Sequence, residues 1–337
     1  MPPSMSELSA IILAAGQGKR MRSALPKVLH PIAGRPLVHY PVKAAVEAGA
    51  GRIVIVASPE TREPLERDLT KSFGAERIRL TVQSPPRGTG DAARVGLSAV
   101  ESARVMILCG DTPLLRVEDL ASLTGALDRG ALLALLTCKL ADPTGYGRVL
   151  RDSQGRVLEI REHRDLENDA QRAVNEVNAG MYVADTAFLR DALARIQPHN
   201  AQGEYYLTDV AAMAAAQGGA EGLVGDPEGL VGVNDRAQLA DAEQLLYRRI
   251  AQQLARDGAS IRGDARIDDG VVVEADAVVE SGVALRGRTR VGSGATIDVG
   301  AVLTDVEVAT GARVGAYAVL TGGRVGPGES VPPLSTR

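Results

Sequence analysis

A strict period of six residues governs the last quarter of this 337-residue chain. Aliphatic side chains recur at Ile261, Ile267, Val273, Val279, Leu285, Val291, Ile297 and Leu303. One residue is then dropped and the period resumes at Val308, Val314 and Leu320; after a second slip come Val325 and Val331. Six fits neither the 3.6-residue turn of a helix nor the two-residue alternation of a long strand. It fits a short strand and a tight turn, repeated three times per coil of a parallel β-helix built from hexapeptide repeats. At about eighteen residues per three-sided coil, roughly four coils fit between 258 and 337. An ordinary glycine-rich β domain is the plain alternative, and eight positions in unbroken register weigh against it. Each aliphatic residue is expected to point inward while Gly, Ala, Asp and Thr fill the turns. That accounts for 37 glycines beside two phenylalanines and no tryptophan. The stretch Val331-Pro332-Pro333 is expected to end the stack, because a terminal coil needs a cap.

Upstream the pattern is different. From 8 to about 230, short apolar runs at 8–14, 53–57, 78–82 and 105–109 alternate with helical patterns near 36–49, 60–72 and 90–101. Such alternation predicts a parallel sheet covered by helices on both faces. Sites in these sheets open at the carboxyl ends of the strands. Two conspicuous segments fall at such ends. The first run stops at Ala14-Ala15-Gly16, and a glycine-spaced basic loop follows with Lys19, Arg20, Arg22 and Lys27. Small residues there let consecutive backbone N–H groups form an anion cradle. The spacing matches neither the P-loop nor the dinucleotide fingerprint. The second segment is Gly110-Asp111, after the run that ends at Cys109. The sequence loosens at 225–235 and then shows helical spacing at Leu239, Ala242, Leu246, Ile250 and Leu254. The domains are therefore read as 1–234, a connecting helix 235–257, and the β-helix 258–337.

Net charge is −4, so the cations at 19–27 read as a local site rather than a nucleic-acid surface. No run is long enough for a membrane span, and the N-terminus lacks the basic-then-apolar order of a signal peptide. Cys109 and Cys138 sit in apolar runs and are expected to be reduced core residues. The expectation is a cytoplasmic protein with neither nucleic acid nor membrane as partner. The four histidines are scattered, without zinc spacing or a Ser-His-Asp arrangement.

Several stretches carry a resemblance. They are Leu13-Ala14-Ala15-Gly16-Gln17-Gly18-Lys19-Arg20-Met21 with Leu25-Pro26-Lys27, then Gly88-Thr89-Gly90 and Gly110-Asp111-Thr112-Pro113-Leu114. Asp142-Pro143-Thr144-Gly145-Tyr146-Gly147-Arg148, Glu162-His163, Asn178-Ala179-Gly180, Asn200 to Asp209 and Gly232-Val233-Asn234 complete the set. In this order of parts the chain resembles the bacterial bifunctional N-acetylglucosamine-1-phosphate uridyltransferase/glucosamine-1-phosphate acetyltransferase family, from about residue 8 onward. The first loop marks sugar nucleotidyltransferases in general; the Asp142 and Asn200 segments are narrower. The resemblance implies a Rossmann-like nucleotidyltransferase domain with a mixed, mostly parallel sheet, a short left-handed β-helix, and a homotrimer assembled through that helix. The family's β-helix is longer and holds its acetyltransferase site on later coils, built from His, Asn, Lys, Arg and Tyr. Residues 258–337 contain no His, Lys or Asn, so the resemblance does not extend to that activity.

The implied reaction joins UTP and N-acetylglucosamine 1-phosphate into UDP-N-acetylglucosamine and pyrophosphate with Mg²⁺. Arg20 and Lys27 would grip the triphosphate as the catalytic cations, whereas Lys19 and Arg22 are expected to face solvent. Leu13, Ala14, Ala15, Gly16, Gln83, Gly88, Thr89, Cys109, Gly110 and Asp111 would line the nucleotide, with glycine at 88 leaving room for the base. Gly147, Glu162, Asn178 and Asn234 would meet the sugar phosphate, and Asp111 with Asn234 would hold the metal. Each has a plainer alternative: helix capping for Asp111 and Asn234, a surface position for Gln83 and Glu162. The family's usual pattern is broken at Ser84-Pro85-Pro86-Arg87, at Asp91 in place of a His, and at Ala179. Rival readings are a nucleotidyltransferase for glucose or mannose 1-phosphate, and a non-catalytic nucleotide-sugar-binding subunit.

Overall fold

The structure, a computed structural model, describes residues 7–16 and 18–337. The N-terminal segment 1–6, read above for a signal peptide, and Gln17 of the first loop lie outside the described residues. Two compact units result. One comprises the chain up to His30 together with Leu37–Asp235; the other comprises Pro31–Pro36 and Arg236–Arg337.

The first unit is built on a mixed, mostly parallel sheet. Its strands run in the order Ala220–Val224, Leu133–Lys139, Glu176–Asp185, Arg104–Cys109, Leu8–Ala14, Arg52–Ala57 and Ile78–Val82. Glu176–Asp185 alone of these seven lies antiparallel to its neighbours. The hairpin strands Arg148–Arg151 and Val157–Arg161 extend from it. Alternate residues of each strand enter different cores, because successive side chains point to opposite faces. Ala10, Ile12, Ile53, Ile55, Met106 and Leu108 pack on one face with the helices His39–Glu47, Arg62–Phe73 and Val117–Asp128. Ile11, Val54, Val56, Val105 and Ile107 pack on the other with Thr89–Leu97, Thr186–Arg195 and Asp209–Ala215. Every strand in the middle of the sheet is thus buried on both sides, which is why it reads as a continuous apolar run. From Leu8–Ala14 the chain moves outward one way through Arg52–Ala57 and Ile78–Val82, then returns to Arg104–Cys109 on the other side. The carboxyl ends of Leu8–Ala14 and Arg104–Cys109 therefore flank a reversal of strand order, the position where such sheets open a crevice.

In the second unit the short parallel strands form three sheets. The six-residue series is buried from Ile267 to Val331. Its members stack in three columns: Ile261, Val279, Ile297, Val314 and Val331; Ile267, Leu285, Leu303 and Leu320; Val273, Val291, Val308 and Val325. Both slips in the period fall at the same corner, after Leu303 and after Leu320. There Asp305 (φ 55°) and Gly322 (φ 69°) turn the chain in the left-handed region. Dropping a corner residue leaves the strands in register, whereas dropping a strand residue would turn every later side chain inside out. The helix Arg236–Arg256 lays Ile250 and Leu254 against the first coil and closes that end of the core.

Two expectations need correction. The prolines at 332 and 333 do not end the stack: Val319 pairs in parallel with Thr336, the Val319 N–H donating to the Ser335 carbonyl at 2.8 Å, and the Thr321 N–H donates to the Arg337 carbonyl at 2.9 Å. Both prolines follow the strand Ser330–Val331 at a corner, where no ladder donor is needed. The linear division also left Pro31–Pro36 in the first domain. Its two short strands pair with each other in the second unit. The Ala33 N–H donates to Glu243 Oε1 (3.1 Å), and the Ala33 carbonyl accepts from the Asp269 N–H (2.9 Å).

Candidate functional site

At the switch point of the sheet lies a cavity of about 640 Å³. Its walls come from Leu13, Ala15, Gly16 and Lys19 after the first strand, Cys109 and Asp111 after the Arg104–Cys109 strand, and Gln83, Pro86, Gly88, Thr89, Ala92 and Glu204 opposite. Eight of the residues expected to line a nucleotide are here. Ala14 and Gly110 lie buried beneath, where the Gly110 N–H donates to the Leu13 carbonyl (3.0 Å) and ties the two strand ends together. A Cβ on Gly16 would meet nothing within 4 Å. Protein packing does not require glycine at that position, while a ligand lying against the backbone would. The Ala15 and Gly16 amides donate to no described residue. Lys19 is exposed, as expected, yet it stands on the cavity wall rather than away from it.

One end of the cavity carries a charged cluster. The Lys27 ammonium donates to Asp111 Oδ2 in a close ion pair and reaches Asn234 Oδ1 at 3.3 Å. Arg20 donates to the same Asn234 oxygen at 2.9 Å. The lysine and aspartate side chains are mostly shielded from solvent, at 13 % and 21 % exposure, so their attraction is less screened than that of a surface pair. The segment carrying Asn234 is pinned here because the Val233 N–H donates to the Asp111 carbonyl (2.8 Å). Asp111 does not cap a helix, since the next one begins at Val117. Four residues from three separate parts of the chain thus meet, two cations against two oxygen donors.

The opposite wall holds Gln83, which is buried rather than on the surface. The glycine at 88 has a reason other than room for a base. A Cβ there would sit 2.5 Å from the Tyr205 carbonyl, and φ is +106°. The Gly90 N–H donates to that same carbonyl at 2.8 Å. The 200–209 segment, conspicuous in the sequence without an assigned role, is therefore the platform on which the 88–90 turn rests.

A third group lies on the hairpin and the antiparallel strand. The Gly147 carbonyl accepts from the Asn178 N–H (2.9 Å), and the Glu162 carboxylate approaches the Gly147 Cα, with Glu162 Oε1 3.3 Å from where a Cβ would stand. Asn178 donates through Nδ2 to the Tyr182 hydroxyl (2.7 Å), and its Oδ1 accepts from the Gly180 N–H (3.0 Å). Glu162 accepts from the Thr208 hydroxyl at 3.2 Å. Burial pushes the Glu162 carboxyl above the usual range, against the pull of Thr208. Thr208 and Tyr182 escaped sequence reasoning because a hydroxyl in a strand or at a helix start carries no signal of its partner. Cys109 links this group to the cavity by donating weakly to the Gly180 carbonyl (3.4 Å). Burial, then the Asp111 charge, pushes its thiol up to about 12, and both cysteines are free. The expected thiol state thus holds, although Cys109 is a wall residue rather than a core one.

Asp111 and Asn234 also answer whether the cluster suits a divalent metal. A carboxylate and an amide oxygen converge on one ammonium, so both can reach a common cation. Hard oxygen donors are what Mg²⁺-like ions take, usually completing their shell with water and phosphate oxygens. Among the described residues there is no group of three or more His, Cys, Asp or Glu that could hold a metal ion.

A glycine-walled cavity at the switch point of a mostly parallel sheet, with paired cations facing an aspartate, defines a nucleotidyltransferase. Residues 10–218 match the MobA-like NTP transferase domain family. Along 99 % of its length the chain is 52 % identical to the Bifunctional protein GlmU of Sorangium cellulosum, covering 72 % of that protein. It is 45 % identical to the protein of the same name from Anaeromyxobacter dehalogenans, covering 69 % of it. A third, from Trichlorobacter lovleyi, is 42 % identical, with 72 % covered. The chain belongs to the GlmU family. It is a uridyltransferase of UDP-N-acetylglucosamine synthesis, acting on a nucleotide and a sugar phosphate. No described helix is long and apolar enough to cross a membrane.

Proposed function

We propose that the cluster of Arg20, Lys27, Asp111 and Asn234 is where uridylyl transfer takes place, and that the convergence of two cations and two oxygen donors carries this reading. A phosphate oxygen of N-acetylglucosamine 1-phosphate attacks the α-phosphorus of UTP. The bond to the bridging oxygen breaks, and pyrophosphate leaves. This chemistry needs alignment and charge neutralisation more than covalent help. The amides of Ala15 and Gly16 and the Lys19 side chain meet the triphosphate. Lys27 and Arg20 exchange their protein partners for phosphate oxygens and neutralise the charge that builds on the departing pyrophosphate. Asp111 and Asn234 would hold Mg²⁺, which would supply positive charge against that of the phosphates. Gln83 faces the uracil. Gly147, Glu162 and Asn178 hold the sugar. The use of UTP supports a cytoplasmic location. A homotrimer is supported by Val272 and Val319, exposed apolar side chains on two of the parallel sheets of the second unit that further copies would cover.

A pyrophosphate-release panel tests the reading. With Mg²⁺, kcat/KM for UTP and N-acetylglucosamine 1-phosphate should exceed that for glucose 1-phosphate by at least about tenfold, the scale one or two lost hydrogen bonds set. Chelation with EDTA should abolish turnover and added Mg²⁺ restore it. Faster turnover with glucose 1-phosphate would reassign the substrate, and tight UDP-sugar binding without turnover would make the chain a binding subunit.

Glu162 supplies a pH dependence. It accepts from sugar hydroxyls only when ionised, so its contribution is present above its folded pKa and lost as pH falls through it. That pKa is raised, so the KM for N-acetylglucosamine 1-phosphate should begin to climb at a higher pH than an ordinary glutamate would give. Glu162→Gln should remove this acid limb and raise KM by about tenfold at neutral pH, in line with a hydrogen bond to a charged group. An unchanged limb in the variant would take Glu162 out of the sugar site. For folding the sign is opposite: ionised, half-buried Glu162 costs stability at neutral pH, and protonation relieves that cost.

A further inference from the structure

Gln83 lies on the cavity wall with an amide whose two ends are unequally committed. Its Nε2 donates to the Gly88 carbonyl at 3.0 Å and to Asp91 Oδ2 at 2.9 Å. Both partners are pure acceptors, so the amine end must face them; the reverse orientation would set two oxygens against Oε1. Oε1 has no partner among the described residues, and Gln83 lines the cavity. Asp91 is itself 7 % exposed and accepts on its other oxygen from Arg94 at 2.5 Å. Arg94 in turn covers the Tyr205 ring, 5.1 Å from its centroid. The ion pair uses the oxygen that Gln83 does not, and Oδ2 is left to the amide.

We propose that Asp91 is a positioning residue that sets base specificity: with the Gly88 carbonyl it takes both amide hydrogens of Gln83, so that only an acceptor is presented to the base. This rests on the reading that Gln83 faces the uracil. Uracil carries a hydrogen on N3 and donates it to Oε1. Cytosine has a lone pair at N3, and two acceptors would then face each other. Without Asp91 the amide has one fewer reason to keep its orientation. A reversed amide donates to cytosine N3 as readily as the native one accepts from uracil. Asp91 touches neither base nor phosphate; it acts through Gln83.

The test is the ratio of kcat/KM for UTP to that for CTP, measured in the full-length enzyme with N-acetylglucosamine 1-phosphate. In Asp91→Ala, and in Asp91→Leu, which fills the space without an acceptor, the ratio should fall at least tenfold, mainly through a higher KM for UTP and a lower KM for CTP. Arg94→Ala removes the ion pair but leaves the acceptor, and its ratio should stay within about threefold of the parent. A merely structural Asp91 would lower turnover with both nucleotides alike and leave the ratio intact, which overturns the proposal. So would an equal loss of the ratio in Arg94→Ala. Gln83→Ala separates the two levels. If it collapses the ratio while the Asp91 variants do not, positioning by Asp91 alone is refuted. If Gln83→Ala also leaves the ratio unchanged, the base is not read at Gln83 and the underlying reading fails.

Discussion

Asp111→Asn is expected to cut kcat by about a thousandfold, about 4 kcal/mol of transition-state stabilisation, with the melting temperature nearly unchanged. The substitution preserves shape but removes the one carboxylate of the cluster. Lys27 then loses its charged partner while Asn234 Oδ1 remains within reach at 3.3 Å. The cation therefore keeps a hydrogen-bond acceptor, and the fold keeps the backbone link from Val233 to residue 111. What disappears is the negative charge that would hold a divalent ion against the phosphates. Pyrophosphate release measured across a Mg²⁺ titration should show both a lower plateau and a midpoint moved to higher metal concentration. A variant with kcat within threefold of the parent would remove Asp111 from the chemistry and leave the Lys27 contact a structural one.

The largest effect on stability is expected from Ile297→Asp. Ile297 lies at the middle of its column, between Val279 and Val314, and is fully buried. The change removes an aliphatic side chain worth about 2–5 kcal/mol in a rigid core and forces a carboxylate into a column with no polar partner beside it. Together these should destabilise the second unit by about 5 kcal/mol or more, the range reserved for buried unpaired charge. Calorimetry should show that unit melting far below its normal temperature, and sedimentation should show loss of the proposed trimer. Coils share their core only with adjacent coils, so the damage should spread along the stack. The first unit has two cores of its own and should keep its separate transition. A melting profile equal to the parent's would mean Ile297 does not face the interior.

Both predictions draw on different degrees of legibility. The β-helix was readable because its period is enforced by one inward position per strand, and nothing but an aliphatic residue fits there. Ile267 to Val331 are buried as the spacing required. The double-sided sheet was readable for a similar reason: Ile53 to Ala57 must be apolar throughout when both faces are covered. The slips in the period were visible as numbers but not as geometry. Only stacking showed that both fall at one corner, at Asp305 and Gly322.

The site divides in the same way. The loop after Ala14, the carboxylate at 111 and the strand ends that carry them followed from local sequence and from the rule that crevices open at carboxyl ends of strands. Chain distance hid the rest. Lys27, Asp111 and Asn234 are separated by 84 and 207 residues from lysine to each oxygen donor, and no pattern in the sequence brings them together. Gln83, expected at the nucleotide with a surface position as its plainer alternative, is buried against Asp91 only by packing, and the glycine at 88 owes its place to the Tyr205 backbone. Periodicity is a property of neighbours along the chain, so it fixes elements and their buried faces. Which oxygen meets which cation, and which way an amide points, depends on groups brought into contact across the fold, and only tertiary structure decides that.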